Sequence, residues 1–165
     1  MPRKISTLLN VHSKELELKG VFDGFVDIDA RLHVDPSLLC RSKIPEFEKS
    51  YDKFKNYFNE ILAILKRVQA PNDIFHREVK RRLIFEEIGY TALGYSKRGV
   101  AGNAIGPKLA NNIANTTLEI VRAGLIDPII FELVPFFEER IGADRISDMT
   151  IAILISNFLE FTHYH

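Results

Sequence analysis

The chain has 165 residues, 46% of them hydrophobic, with 12 phenylalanines. That is enough apolar side chain for one sizeable core, which sets the expectation of a single domain, 1–165, with a radius of gyration of about 15 Å. Lysine plus arginine and aspartate plus glutamate both number 22, so no global field draws the chain to nucleic acid or anionic lipid, and any such binding must come from a local patch.

The single cysteine, Cys40, excludes an internal disulfide framework and fits a reducing compartment. It follows Leu38-Leu39 and reads as a buried thiol. The start, Met1-Pro2-Arg3-Lys4, lacks the apolar run of a signal peptide. No stretch approaches the ~20 apolar residues of a membrane span. A soluble, cytoplasmic protein with no membrane partner is expected.

The first elements read as a small β region over about residues 15–35. Leu16 and Leu18 alternate with charged residues, and Gly20 to Gly24 suggests a hairpin-like return. Val26, Ile28, Ala30, Leu32 and Val34 then alternate with Asp27, Asp29, Arg31, His33 and Asp35, the period of a half-buried strand. Pro36 ends it.

From Pro45 the period becomes helical. Phe47, Tyr51, Phe54, Phe58, Ile61, Leu62, Leu65 and Val68 predict one long helix over 45–68, about 36 Å in length and the spine of the domain. Pro71-Asn72-Asp73 breaks it, and Asp73 suits the cap of a second helix running to about Ile88. Residues 89–106 hold five of the nine glycines and read as a long loop, a feature that is often functional. A third helix is expected from Pro107 to about Ala123, closed by Gly124. Asp127-Pro128 starts a short helix that Pro135 ends. A last helix runs from near Asp144 towards the C-terminus. Its apolar face still continues at Thr162-His163-Tyr164-His165, which raises the expectation that the chain is the N-terminal piece of something longer. The fold class is therefore mainly α with a small N-terminal β element, a helical bundle occupying about 45–165.

Two segments carry the functional signal. Each places an isoleucine–glycine pair directly before an amphipathic helix: Ala104 to Ile113, and Arg140 to Met149. A helix start leaves several N–H groups open to an anion. In the first segment the candidate phosphate-binding residues are Lys97, Arg98, Ile105, Gly106 and Lys108. In the second, Asp144 stands where the phosphate would sit and reads instead as a cap for its own helix.

Other chemistry is weaker. Gly102 to Lys108 is not a P-loop: three residues separate its glycines, Pro107 intervenes before Lys108, and Leu109 replaces the magnesium-binding hydroxyl. Asp27, Asp29, His33 and Asp35 could converge on a divalent cation, as in a metal-dependent nuclease. Arg31 lies among them, however, and a solvated face explains the same pattern. The basic run His76 to Arg82 reads as an exposed helix face pairing with acids such as Glu86 and Glu87. No triad or thiolate cage is visible. No catalytic residue, resident metal or cofactor is expected.

The residues Ile105, Gly106, Ala110 and Ile113 resemble the second half of a helix–hairpin–helix motif, with Ala104 in place of its first glycine. That resemblance implies a hold on nucleic-acid backbone phosphate without sequence readout. The run Ile141-Gly142-Ala143-Asp144-Arg145-Ile146-Ser147-Asp148-Met149-Thr150 is similar to a signature in large, poorly characterised bacterial proteins associated with phage-defence gene settings. Gly94 to Lys97, Ile105 to Lys108 and Val34-Asp35-Pro36 are similar to the same group. It carries no catalytic assignment.

The leading expectation is a non-enzymatic helical binding module that contacts nucleic-acid phosphate through the glycine-rich 94–108 loop. The alternatives are a protein-assembly or homo-oligomeric domain using the apolar C-terminal helix around Phe158 and Phe161, and the strand-carboxylate nuclease.

Overall fold

The computed structural model describes residues 2–39, 41–86, 88, 91, 93 and 105–164. Its backbone divides into two compact units: residues 1–33 with 88–102, and residues 34–87 with 103–165. The described residues are mainly helical.

The first unit contains α1 (Ile5–Leu9) and α2 (Ser13–Leu18). Asn10 takes the left-handed conformation (φ 53°) to end α1, and Gly20 (φ 71°) does so just after α2. Both are residue types that tolerate this region. Two backbone bonds, Ile5 N–H to Gly24 O at 3.0 Å and Val26 N–H to Arg3 O at 2.9 Å, hold residues 24–26 against the start of α1. Asp23 gathers the unit. Its carboxylate accepts from the Ser6 amide (2.9 Å), the Ser6 hydroxyl (2.9 Å) and the Ser13 hydroxyl (2.7 Å). The Ser6 amide above all, then the Ser13 hydroxyl, hold its carboxyl down at about 2 against an ordinary 3.8. Its contribution is therefore complete above pH 3.8 and is lost as pH falls through about 2. The Ser6 amide resonance should report that low midpoint, and Asp23→Asn should abolish the titration; a midpoint at the ordinary value would contradict it.

The expected β element is not present among the described residues. Leu16 and Leu18 lie on α2, where Leu16 is buried and Leu18 is 88% exposed. A helix turns residues two apart to opposite sides, whereas a strand would align them. The stretch 25–34 makes only single bridges, Lys4 with Phe25 and Ala30 with Leu93. The Leu32 N–H turns back to Ala30 O at 2.7 Å, so the alternating run is folded at Arg31 and cannot form a ladder.

The second unit carries the large core. It begins with α3 (Pro36–Leu39), whose Asp35 carboxylate accepts from the Ser37 amide (2.8 Å) and hydroxyl (2.7 Å). The expected spine is interrupted: a 3-10 turn spans Pro45–Phe47, and α4 runs Ser50–Leu65. The Ser50 hydroxyl donates to Phe47 O at 2.7 Å across the break. Phe54, Phe58, Ile61, Leu62 and Leu65 form the buried stripe of α4.

Asp73 caps α5 (Ile74–Arg82), accepting from the His76 amide at 2.7 Å. This helix stops six residues short of the expected end, because the Phe85 amide pairs with Ile105 O at 3.1 Å. The 16-residue α6 (Pro107–Arg122) packs beside α5 and α4, and Gly124 (φ 99°) turns the chain away from its end. Asp127 caps the short α7 (Ile129–Glu132), its Oδ1 accepting from the Ile129 amide. A second 3-10 turn, Val134–Phe136, carries Pro135.

The last helix is two helices, α8 (Ala143–Ile153) and α9 (Ile155–Tyr164), joined at the buried Leu154. Asn157, 4% exposed, explains the break. Its side-chain amide donates to Glu46 O, and its Oδ1 accepts from the Lys53 ammonium at 3.0 Å. Replacing Asn157 by leucine would take the side-chain donor from Glu46 O while the exposed Lys53 ammonium turns to water, and a loss of about 1–3 kcal/mol is expected in chemical denaturation.

Candidate functional site: a cleft at the start of helix α6

The two isoleucine–glycine segments meet at one place within the second unit. Gly106, Pro107, Lys108 and Leu109 line one side of an open cleft of about 810 Å³, and Phe137, Glu138, Glu139, Arg140 and Arg145 line the other. The pairing has a simple local cause. Ile105 and Ile141 are both buried (1% and 3% exposed) and anchor the two turns in the same core. The residues that follow each anchor are therefore left at the surface.

At the α6 end, Gly106 is the cap, in extended backbone (φ −77°, ψ 174°) that any residue adopts. A Cβ added at Gly106 would meet nothing within 4 Å, so neither backbone strain nor a close neighbour requires glycine here, and the approach to the helix start is open. Pro107 has no N–H, and the Ala110 N–H is bonded to Gly106 O at 2.9 Å. The first-turn donors left without an intrahelical acceptor are those of Lys108 and Leu109. No acidic residue stands in that turn.

The α8 end differs. Gly142 is the cap, and Asp144 lies in the first turn with its Oδ1 only 2.8 Å from where a Cβ on Gly142 would be. A carboxylate stands beside that helix start. Arg145 donates through Nη1 to Arg140 O, which holds the two cationic residues together. The cleft is thus lined by three cations, Lys108, Arg140 and Arg145, and by two acids, Glu138 and Glu139, beside one open helix start. Glu138 receives a long hydrogen bond, 3.4 Å, from the Thr116 hydroxyl.

Of the expected phosphate-binding residues, Gly106 and Lys108 face the cleft. Ile105 does not: it is buried, its carbonyl taken by the Phe85 amide, and it acts as the anchor of the turn. Lys97 and Arg98, like Cys40, lie outside the described residues. Arg140 and Arg145 were not identified as cations of this site from sequence. Their closeness in sequence to the second anchor, one residue before and four after Ile141, was the available signal.

The remaining candidates are engaged elsewhere. Asp27 accepts from the Arg3 amide (2.8 Å) and pairs with its guanidinium (3.1 Å), which lowers its carboxyl. Asp35 caps α3. Among the described residues, no group of three or more His, Cys, Asp or Glu is placed to hold a metal ion. The basic flank of α5 is neutralised mainly by its own Glu78, 2.7 Å from Arg81 and 3.0 Å from Arg82, and by Glu60 of α4, 2.7 Å from Arg82. Arg81 first, then Arg82, bring the Glu78 carboxyl to about 2. Phe158 and Phe161 of α9 pack on Phe47, at ring separations of 4.9 and 5.9 Å. Leu125, Ile126, Ile129, Leu133 and Phe136 are exposed apolar residues around α7. No helix among the described residues is long and apolar enough to cross a membrane.

These features define a mainly helical protein with an open, cation-bearing helix start. Comparison with protein families assigns it more closely: the chain matches the model of Domain of unknown function (DUF8370) over residues 10–164, and it belongs to that family. No curated protein and no solved structure matches it.

Proposed function

We propose that this protein is a non-enzymatic helical module that holds nucleic-acid backbone phosphate at the start of α6. The observation that carries the reading is that Lys108, Arg140 and Arg145 outnumber Glu138 and Glu139 in one cleft beside a helix start with no acidic side chain in its first turn. The Lys108 and Leu109 amides, which lack an intrahelical acceptor, the positive end of a 16-residue helix and an excess of three cations over two acids make a favourable position for a phosphodiester. The contacts are to backbone phosphate and carry no sequence preference. Lys97 and Arg98, the other cations expected to hold phosphate, lie outside the described residues. The resemblance of Ile141 to Thr150 to large bacterial proteins supports a bacterial setting, and their phage-defence association fits a nucleic-acid ligand. A protein-assembly role for the apolar face of α9 has less support, since Phe158 and Phe161 already pack on Phe47.

Adding a short single-stranded oligonucleotide to the labelled protein tests the site. The amide resonances of Lys108 and Leu109 should shift most, while those at the α8 start, beside Asp144, should move little. Equal shifts at both helix starts, or none at α6, would refute the assignment.

A further inference from the structure

His76 is the one histidine among the described residues that is buried, at 1% exposure. It sits in the first turn of α5, and its ring reaches back to the turn that joins α4 to α5. There Nδ1 accepts from the Asn72 amide at 3.1 Å. Accepting at Nδ1 requires the neutral ring with its hydrogen on Nε2. That second nitrogen is buried, and the Asn115 side chain of α6 stands near enough to interact with the ring.

The turn itself is held by few contacts. Asn72 is left-handed, with φ 63°. Its side-chain oxygen accepts from the Lys80 ammonium at 2.7 Å. Asp73 accepts from the Gln69 amide (2.8 Å) and the Ala70 amide (3.2 Å) as well as from His76. The imidazole is the titratable member of this set nearest to neutrality.

We propose that His76 is an acid-sensitive latch on the 69–73 turn. A proton taken up at Nδ1 occupies the lone pair that holds the Asn72 N–H. Two donors then face each other, and the turn opens so that the ring can reach water. The groups acting on the ring come from both elements packed around it. Lys80 of α5 and Arg122 of α6 oppose the charged ring; Asp73 of α5 and the Asn115 side chain of α6 favour it. Burial is the largest influence, and the balance lies below the ordinary value of 6.5. The closed turn is thus fully favoured above pH 6.5 and loses that advantage as pH falls from there through the depressed value.

Native-state hydrogen exchange of the intact chain, corrected for intrinsic rates, tests this at Gln69, Ala70 and Asn72. Their opening equilibrium should rise severalfold between about pH 7.5 and pH 5. His76→Asn keeps an acceptor near the Nδ1 position and cannot titrate, so its ratio between the two conditions should stay within about twofold. Should that variant fail to fold, the ring tautomer in the wild type decides: hydrogen on Nε2 at neutral pH, with the Asn72 amide shift following the ring titration, supports the latch. Exchange in the wild type that is unchanged by pH, an equal rise in His76→Asn, or a hydrogen on Nδ1 at neutral pH overturns it.

Discussion

Phe58→Ala should be the most damaging single truncation in the second unit, with an expected loss of about 3–5 kcal/mol. The ring of Phe58 has no exposed surface. It stacks on Phe131 at 4.3 Å, meets Phe54 edge-on at 4.9 Å and stands 5.3 Å from Tyr57. These partners come from α4 itself and from α7, so the vacated space is bounded by two elements that cannot both move in. Transfer and cavity terms then add. Against a total stability of roughly 5–15 kcal/mol, such a loss removes a large part of the margin. Phe136 gives the control, because its ring is 87% exposed, and Phe136→Ala should change stability by no more than about 0.5 kcal/mol. Urea midpoints of the two variants measure the contrast. Similar midpoints would mean that α4 does not organise this core.

The elements that could be read from sequence are those whose cause is local. The α4 stripe, the Asp73 cap, Pro107 at the start of α6 and Gly124 just beyond its end each depend on a few neighbouring residues, and each is present. The misreadings depend on distant partners. Helix periodicity continues unbroken through Phe47 and Leu154, yet the chain bends at both, near contacts over 100 residues apart between Asn157 and Glu46 and between Asn157 and Lys53. The apolar–polar alternation of 26–35 is genuine, but a strand needs a neighbour, and the available partners supply single bridges. The site was partly legible for the same reason. Gly106 and Lys108 announce a helix start, whereas Arg140 joins them only because Ile105 and Ile141 are buried in one core. His76 gave no signal at all, since it reads as part of a basic, exposed helix face.

Charge reversal in the cleft should have the largest effect on binding. Lys108 projects from the first turn of α6, and Arg140 faces it across the cleft. Lys108→Glu with Arg140→Glu places two carboxylates beside Glu138 and Glu139, so the site changes from net attraction to net repulsion for a phosphodiester. Neither side chain is buried, and the fold should persist. Affinity for a single-stranded oligonucleotide should fall by at least about tenfold at low salt, since two counterion-releasing contacts are lost. Lys66→Glu with Lys49→Glu, exposed residues of the second unit that do not line the cleft, should lower it far less.

The salt dependence of that affinity is the most direct measurement. With three to five phosphate contacts, the logarithm of the wild-type association constant should fall with the logarithm of salt at a slope of about −2 to −3.5. The Lys108→Glu, Arg140→Glu protein should show a slope shallower by about 1.4. A flat wild-type slope, or one that the cleft substitutions leave unchanged, would contradict phosphate binding at the start of α6.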